Sequence, residues 1–274
     1  MTSTMSPRGP VTGTSKRESA KRKNFLADFY GTAVGKKYVM AITGIIGILF
    51  VVGHMIGNLK MYLGVVREDG QDVYDIDVYG EFLRDIFVPI LPRTYFLWIL
   101  RVGLLLALVL HVHAAYSLTV LNRKARAVKY QSTRDYQVAN FASRSMRWTG
   151  IIVLLFIIWH LADLTAGWVT PDFVRGEVYR NIDNSLSRVP VAILYIVANI
   201  ALAVHIFHGV YSLFQSLGVN NPKINGIRRP LATGLAGLIL VGNLSFPLMV
   251  QFGLIDQDNC EAPVSYTHLR AHET

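Results

Sequence analysis

The sequence predicts an all-α, polytopic membrane protein with five transmembrane helices in an antiparallel bundle. Hydrophobic residues make up 52 % of the 274-residue chain and charged residues only 16 %, at a mean hydropathy of +0.36. Charges are confined to a few segments, a distribution foreign to a soluble enzyme. Five apolar runs, at about 38–63, 94–121, 148–168, 190–217 and 231–254, can each cross about 30 Å of hydrocarbon, which takes roughly 20 helical residues.

Residues 1–35 form a polar, basic arm with the composition of a solvated tail, 36–255 the five-helix membrane domain, and 256–274 a short polar tail. The arm does not read as a cleavable signal peptide. The closing VSYTHLRAHET matches nothing before it and reads as non-native at its end, so His268 and His272 are set aside. Basic residues fix the orientation. The arm carries Arg8, Lys16, Arg17, Lys21, Arg22 and Lys23, the second loop Arg123, Lys124, Arg126, Lys129 and Arg134, and the fourth loop Lys223, Arg228 and Arg229. The first loop is predominantly acidic (Glu68, Asp69, Asp72, Asp75, Asp77, Glu81, Asp85) and reads as a solvated surface. The positive-inside rule then puts the N-terminus in the cytoplasm and the C-terminus outside the inner (cytoplasmic) membrane. A net charge of +9 lying between apolar runs does not make the basic face a nucleic acid needs. One cysteine, Cys260, excludes an internal disulfide framework and a metal site built from this chain's cysteines alone.

Six histidines fall inside the spans: His54 in the first, His111 and His113 in the second, His160 in the third, His205 and His208 in the fourth. One alone reads equally well as a packing residue. Four consecutive spans carrying them point to ligands, relays or substrate paths, because polar groups at that depth are costly. With the spans alternating in direction, His54 and His160 lie toward the outside and the histidines of spans two and four toward the cytoplasm, in layers about 10–15 Å apart. Two opposed imidazoles at one depth suit a bis-histidine haem b, and the first four helices then form a cofactor-binding core. Zinc fits two layers of two poorly. A histidine-ligated iron–sulfur centre would need thiolates from a partner. A proton relay or transporter would be expected to thread acids through the bilayer, where only Asp163 qualifies.

The stretches GTAVGKKYVMAITGI (31–45), HMIGNLKMYLG (54–64), HAAYSL (113–118), SRSMRWTGIIVLLFIIWHLADLT (143–165) and HIFHGVYSLFQSLG (205–218) resemble, in order, the single-chain, five-helix cytochrome b membrane anchor of succinate dehydrogenase and fumarate reductase, the b558 type. The resemblance covers about 31–254. It implies a subunit of respiratory complex II that takes electrons from succinate, through flavoprotein and iron–sulfur subunits on the cytoplasmic side, to membrane quinone, with menaquinone the expected type. It also implies two haem b groups, an outer one on His54 and His160 and an inner one on His113 and His205, and leaves a higher oligomer of the complex open. His208, in an HGVYSL that repeats HAAYSL, stands about 60° from His205 and is kept as a quinone or supporting residue. A haem-free anchor whose histidines bind quinone or an iron–sulfur centre is the alternative.

Residues two apart on a helix point about 200° away from one another, so His111 and His113 cannot face one cofactor. His113 is expected to be the inner ligand and His111 a packing residue. For quinone, Lys60, Arg101, Trp159 and Asp163 fall at one depth toward the outside, Arg101 placed to pair with Asp163 or a haem propionate. Tyr116, Ser117, Tyr211 and Ser212 cluster toward the inside. The bland reading is that Arg and Lys near span ends snorkel and that Ser and Tyr hydrogen-bond neighbouring helices. Glycines in AITGIIG (41–47) and GLAGLILVG (234–242) read as close-packing seams, not phosphate loops.

Overall fold

The computed structural model describes residues 25–68, 70–125, 141–219 and 221–256. The arm before Phe25, residues 126–140 and the tail beyond Asp256, with Cys260, His268 and His272, lie outside them. Among the described residues eight α-helices follow in order: α1 (Phe25–Gly31), α2 (Ala33–Asn58), α3 (Asp75–Asp85), α4 (Tyr95–Lys124), α5 (Phe141–His160), α6 (Val178–Leu186), α7 (Val189–Ser216) and α8 (Pro222–Gln251). Five of these segments are long and apolar enough to cross a membrane, α2 being extended by a 3-10 turn at Leu59–Leu63 and α5 by a π turn at Leu161–Thr165.

Local chemistry sets the helix starts. The Thr32 hydroxyl accepts the Gly35 N–H at 2.9 Å to cap α2, and any Cβ at Gly35 would collide with the Phe29 carbonyl where α1 turns into it. Asn221 caps α8 through Ile224 N at 2.9 Å, with Pro222 in the first turn. The fifth span therefore begins at Pro222, not near Leu231. Lys223, Arg228 and Arg229, expected in a loop, sit on its first turns, and Arg228 folds back to donate to the Val219 carbonyl at 2.6 Å.

In the bundle α7 is central, packed on α5 and α8, while α2 lies against α4 and touches α7 and α8. On α4 the buried residues are Ala107, Ala114 and Leu118, one stripe at helical spacing. On α8, Ala232, Ala236 and Ile239 meet Ile206 and Val210 of α7. The glycines divide. Gly44 and Gly242 stand against His111 and Met55, whereas Gly47, Gly234 and Gly237 have open space where a side chain would be.

The acidic first loop is not a solvated surface. Val65–Glu68 (β1) and Gln71–Tyr74 (β2) pair antiparallel in a hairpin, with Gly70 at φ +81 ahead of β2. α3 follows, burying Asp77 and Glu81. With α6 these elements cap one end of the bundle over a core that includes Met61, Tyr74, Ile76, Tyr179, Ile182, Leu186 and Tyr195. Tyr74 and Tyr179 stack at 3.8 Å between ring centres. Glu81 takes ion pairs from Arg84 and Arg93. The opposite end, where α1 lies, is called the arm end below.

Candidate functional site

Two pairs of imidazoles face one another inside the bundle. Near the capped end, His54 of α2 and His160 of α5 stand 5.9 Å apart between ring centres at 78°. Toward the arm end, His111 of α4 and His205 of α7 stand 6.4 Å apart at 64°. Ten residues separate Gly44, level with His111, from His54, and ten separate Gly150, level with His205, from His160. At 1.5 Å rise the pairs are about 15 Å apart along the bundle.

The α4 histidine is His111, contrary to the sequence expectation of His113. His111 continues the stripe of Ala107, Ala114 and Leu118, the face α4 turns to its neighbours. Its Nδ1 lies 3.1 Å from the Met40 carbonyl and 3.2 Å from Thr43 Oγ1. His113 points away from that face, is exposed, and meets Tyr30 of α1 (Oη to Nδ1 2.5 Å) with the two rings stacked. The spaced alanines were the signal for the buried face. His208 joins neither pair.

The neighbours of the histidines are ordered. His205 Nδ1 lies 3.4 Å from Thr149 Oγ1. His160 Nδ1 lies 3.2 Å from Tyr195 Oη, which donates at 2.8 Å to Asp163. Asp163 is completely buried and also accepts from Thr170 (2.7 Å), Ser185 (2.5 Å) and Arg188 (3.0 Å). Because Tyr195 gives its proton to the carboxylate, its lone pair is placed to receive Nδ1–H of His160, which leaves that ring's lone pair on Nε2. His54 Nε2 instead has the Asn58 amide at 3.4 Å.

The other expected site residues do not converge. Arg101 is exposed and stacks over Trp98 at 5.1 Å, and Arg188, which the sequence reading passed over, is the partner of Asp163. Lys60 is tied to Asp75 at 2.7 Å and lies over the Tyr79 ring. Tyr116 and Tyr211 are exposed on the bundle flank, Ser117 is half-buried, and Ser212 bonds back to the Gly209 carbonyl at 3.2 Å. The Trp159 indole N–H, beside His160 in sequence, is buried without a hydrogen-bond partner among the described residues.

The donor set limits what could bind. Among the described residues no three His, Cys, Asp or Glu side chains gather as metal ligands. Each site therefore offers two nitrogens and suits a group that brings the rest of its coordination, as a porphyrin brings four nitrogens. A metal held at about 2 Å by two imidazoles puts their ring centres about 6 Å apart, close to both separations seen. A cluster would need further ligands from another chain.

The sequence model of a family described as the succinate dehydrogenase/fumarate reductase transmembrane subunit matches residues 121–244, which include His160 and His205. No curated protein and no solved structure matches the chain.

Proposed function

We propose that the chain belongs to the succinate dehydrogenase/fumarate reductase transmembrane-subunit family, whose sequence model matches residues 121–244, and that it anchors such a complex in the cytoplasmic membrane and passes electrons from an iron–sulfur subunit to membrane quinone. The observation that carries this reading is the two histidine pairs at two depths, each at a separation that suits a bis-histidine iron. His54 and His160 would hold one haem b, His111 and His205 the other. Bound there, haem b would supply a one-electron carrier.

The chain's own residues orient the ligands and keep water from them. Tyr195 and Asp163 hold His160 at the capped end. Phe50 and Phe156 stack on His54 and His160 and exclude water from their faces. Charge distribution supports a cytoplasmic arm end, where the flavoprotein and iron–sulfur subunits would bind, making His111–His205 the nearer pair. The unpaired Trp159 N–H favours a quinone at the capped end, since a quinone carbonyl would satisfy a buried donor that lacks an acceptor.

Reduced-minus-oxidised spectra of the purified complex test the reading. Two b-type centres are expected. His160→Ala should remove the outer one, His111→Ala the inner one, and His113→Ala neither. A complex that transfers electrons to quinone with no b-type band would overturn the haem assignment, and its iron and acid-labile sulfide would then show whether a cluster replaces it.

A further inference from the structure

The two helices that carry the outer histidines repeat one pattern. Met-x-x-Thr-Gly-Ile-Ile-x-x-Leu-Phe-x-x-x-His runs from Met40 to His54 and again from Met146 to His160. Eight of its fifteen positions are identical, and the agreement goes beyond apolar residues that any two membrane helices share. The contacts repeat with it. Phe50 stacks on His54 at 5.3 Å and Phe156 on His160 at 5.7 Å. Thr43 meets His111, and Thr149 meets His205. A Cβ at Gly44 would stand 3.4 Å from His111 Cε1, and one at Gly150 3.3 Å from His205 Cε1. The Met40 carbonyl adds a contact of 3.1 Å to His111 Nδ1.

The hydroxyl proton decides what this cradle does. Thr43 donates its single proton to the Val39 carbonyl at 2.7 Å, within its own helix. Thr149 likewise donates backwards, to the Ser145 and Met146 carbonyls at 3.2 and 3.1 Å. With that proton directed into its own helix, each threonine oxygen is placed to accept from the facing histidine, and the Met40 carbonyl beside His111 can only accept. Both partners call for a proton on Nδ1 and leave the lone pair on Nε2.

We propose that residues 40–44 and 146–150 form a duplicated cradle in which Thr43 and Thr149 are positioning residues. They set the Nδ1–H tautomer and the ring angle of His111 and His205, so that both Nε2 lone pairs would be available to the inner haem. The glycines let the two rings lie against α2 and α5. The proposal rests on the reading of an inner haem and adds to it the residues that prepare its ligands.

The test uses the intact complex with Thr43→Val, Thr149→Val and each Thr→Ser. Low-temperature electron paramagnetic resonance and haem content are read for the two low-spin signals. Either valine variant should alter the same, inner signal and weaken haem retention there by about 10- to 100-fold, the range for losing a group that orients a metal-bound histidine. The outer signal should persist, and serine should restore the inner one. Should a valine variant fail to assemble, Thr→Ala at that position is read in its place. Inner signal and haem content unchanged without the hydroxyl would overturn the cradle and leave the haem reading standing. A wild-type complex lacking the inner signal would overturn that reading and the proposal with it.

Discussion

Asp163 gathers four donors around one fully buried carboxylate: Thr170 and Arg188 on Oδ1, Ser185 and Tyr195 on Oδ2. Such saturation is what a charge needs in an apolar surrounding, and Arg188 offsets it across the last turn of the capped end. Asp163→Ala would remove the acceptor shared by the arginine and three hydroxyls. It should cost about 3–5 kcal/mol, as breaking a buried ion pair from one side does, and lower the unfolding temperature of the purified complex. Asp163→Asn should cost less, and equal losses would mean that packing rather than hydrogen bonding holds the cap.

At the scale of elements, α3 and α6 are joined through Asp77, which is buried and accepts the Tyr179 N–H at 3.0 Å. Burial pushes its carboxyl up to about 7 from an ordinary 3.8, with Glu177 adding to the rise and the Tyr179 and Val178 N–H groups and Arg84 opposing it. A raised value in the folded chain means that it holds more protons than the unfolded chain between those limits. The contribution of Asp77 is thus complete below pH 3.8 and is lost as pH rises through 7. Melting curves from about pH 4 to 8 should show the cap weakening upward, and Asp77→Asn should flatten that slope. The α2–α8 contact is steric. A Cβ at Gly242 would collide with Met55 Sδ, so Gly242→Val should cost about 1–3 kcal/mol by overpacking, and Met55→Ala in the same chain should recover part of it. Additive losses would show that the two sites do not meet.

For the whole molecule, the direction of insertion follows from the charge pattern and can be read chemically. In a Cys260→Ser chain, a cysteine at Asp72 in the hairpin should react with a membrane-impermeant maleimide in intact cells with a permeable outer surface. One at Ala20 in the arm should react only after lysis. The reverse pattern would invert the assignment of inner and outer pairs.

The number of spans and the four helices that carry histidines could be read from the sequence, because hydropathy and the desolvation of imidazole are properties of local composition. The cap was not legible: seven acids read as a solvated surface and hid the fact that Asp77 and Glu81 turn inward to a backbone N–H and to arginines. Arg188 and Tyr195 carried no sequence signal that links them to Asp163, since they lie 25 and 32 residues away. The choice of His111 over His113 belonged to tertiary structure. Both lie in one apolar run, and composition is blind to helix rotation. Which imidazole faced its partner was decided by the side of α4 that packs on α2, where the Met40 carbonyl and the Thr43 hydroxyl wait for it.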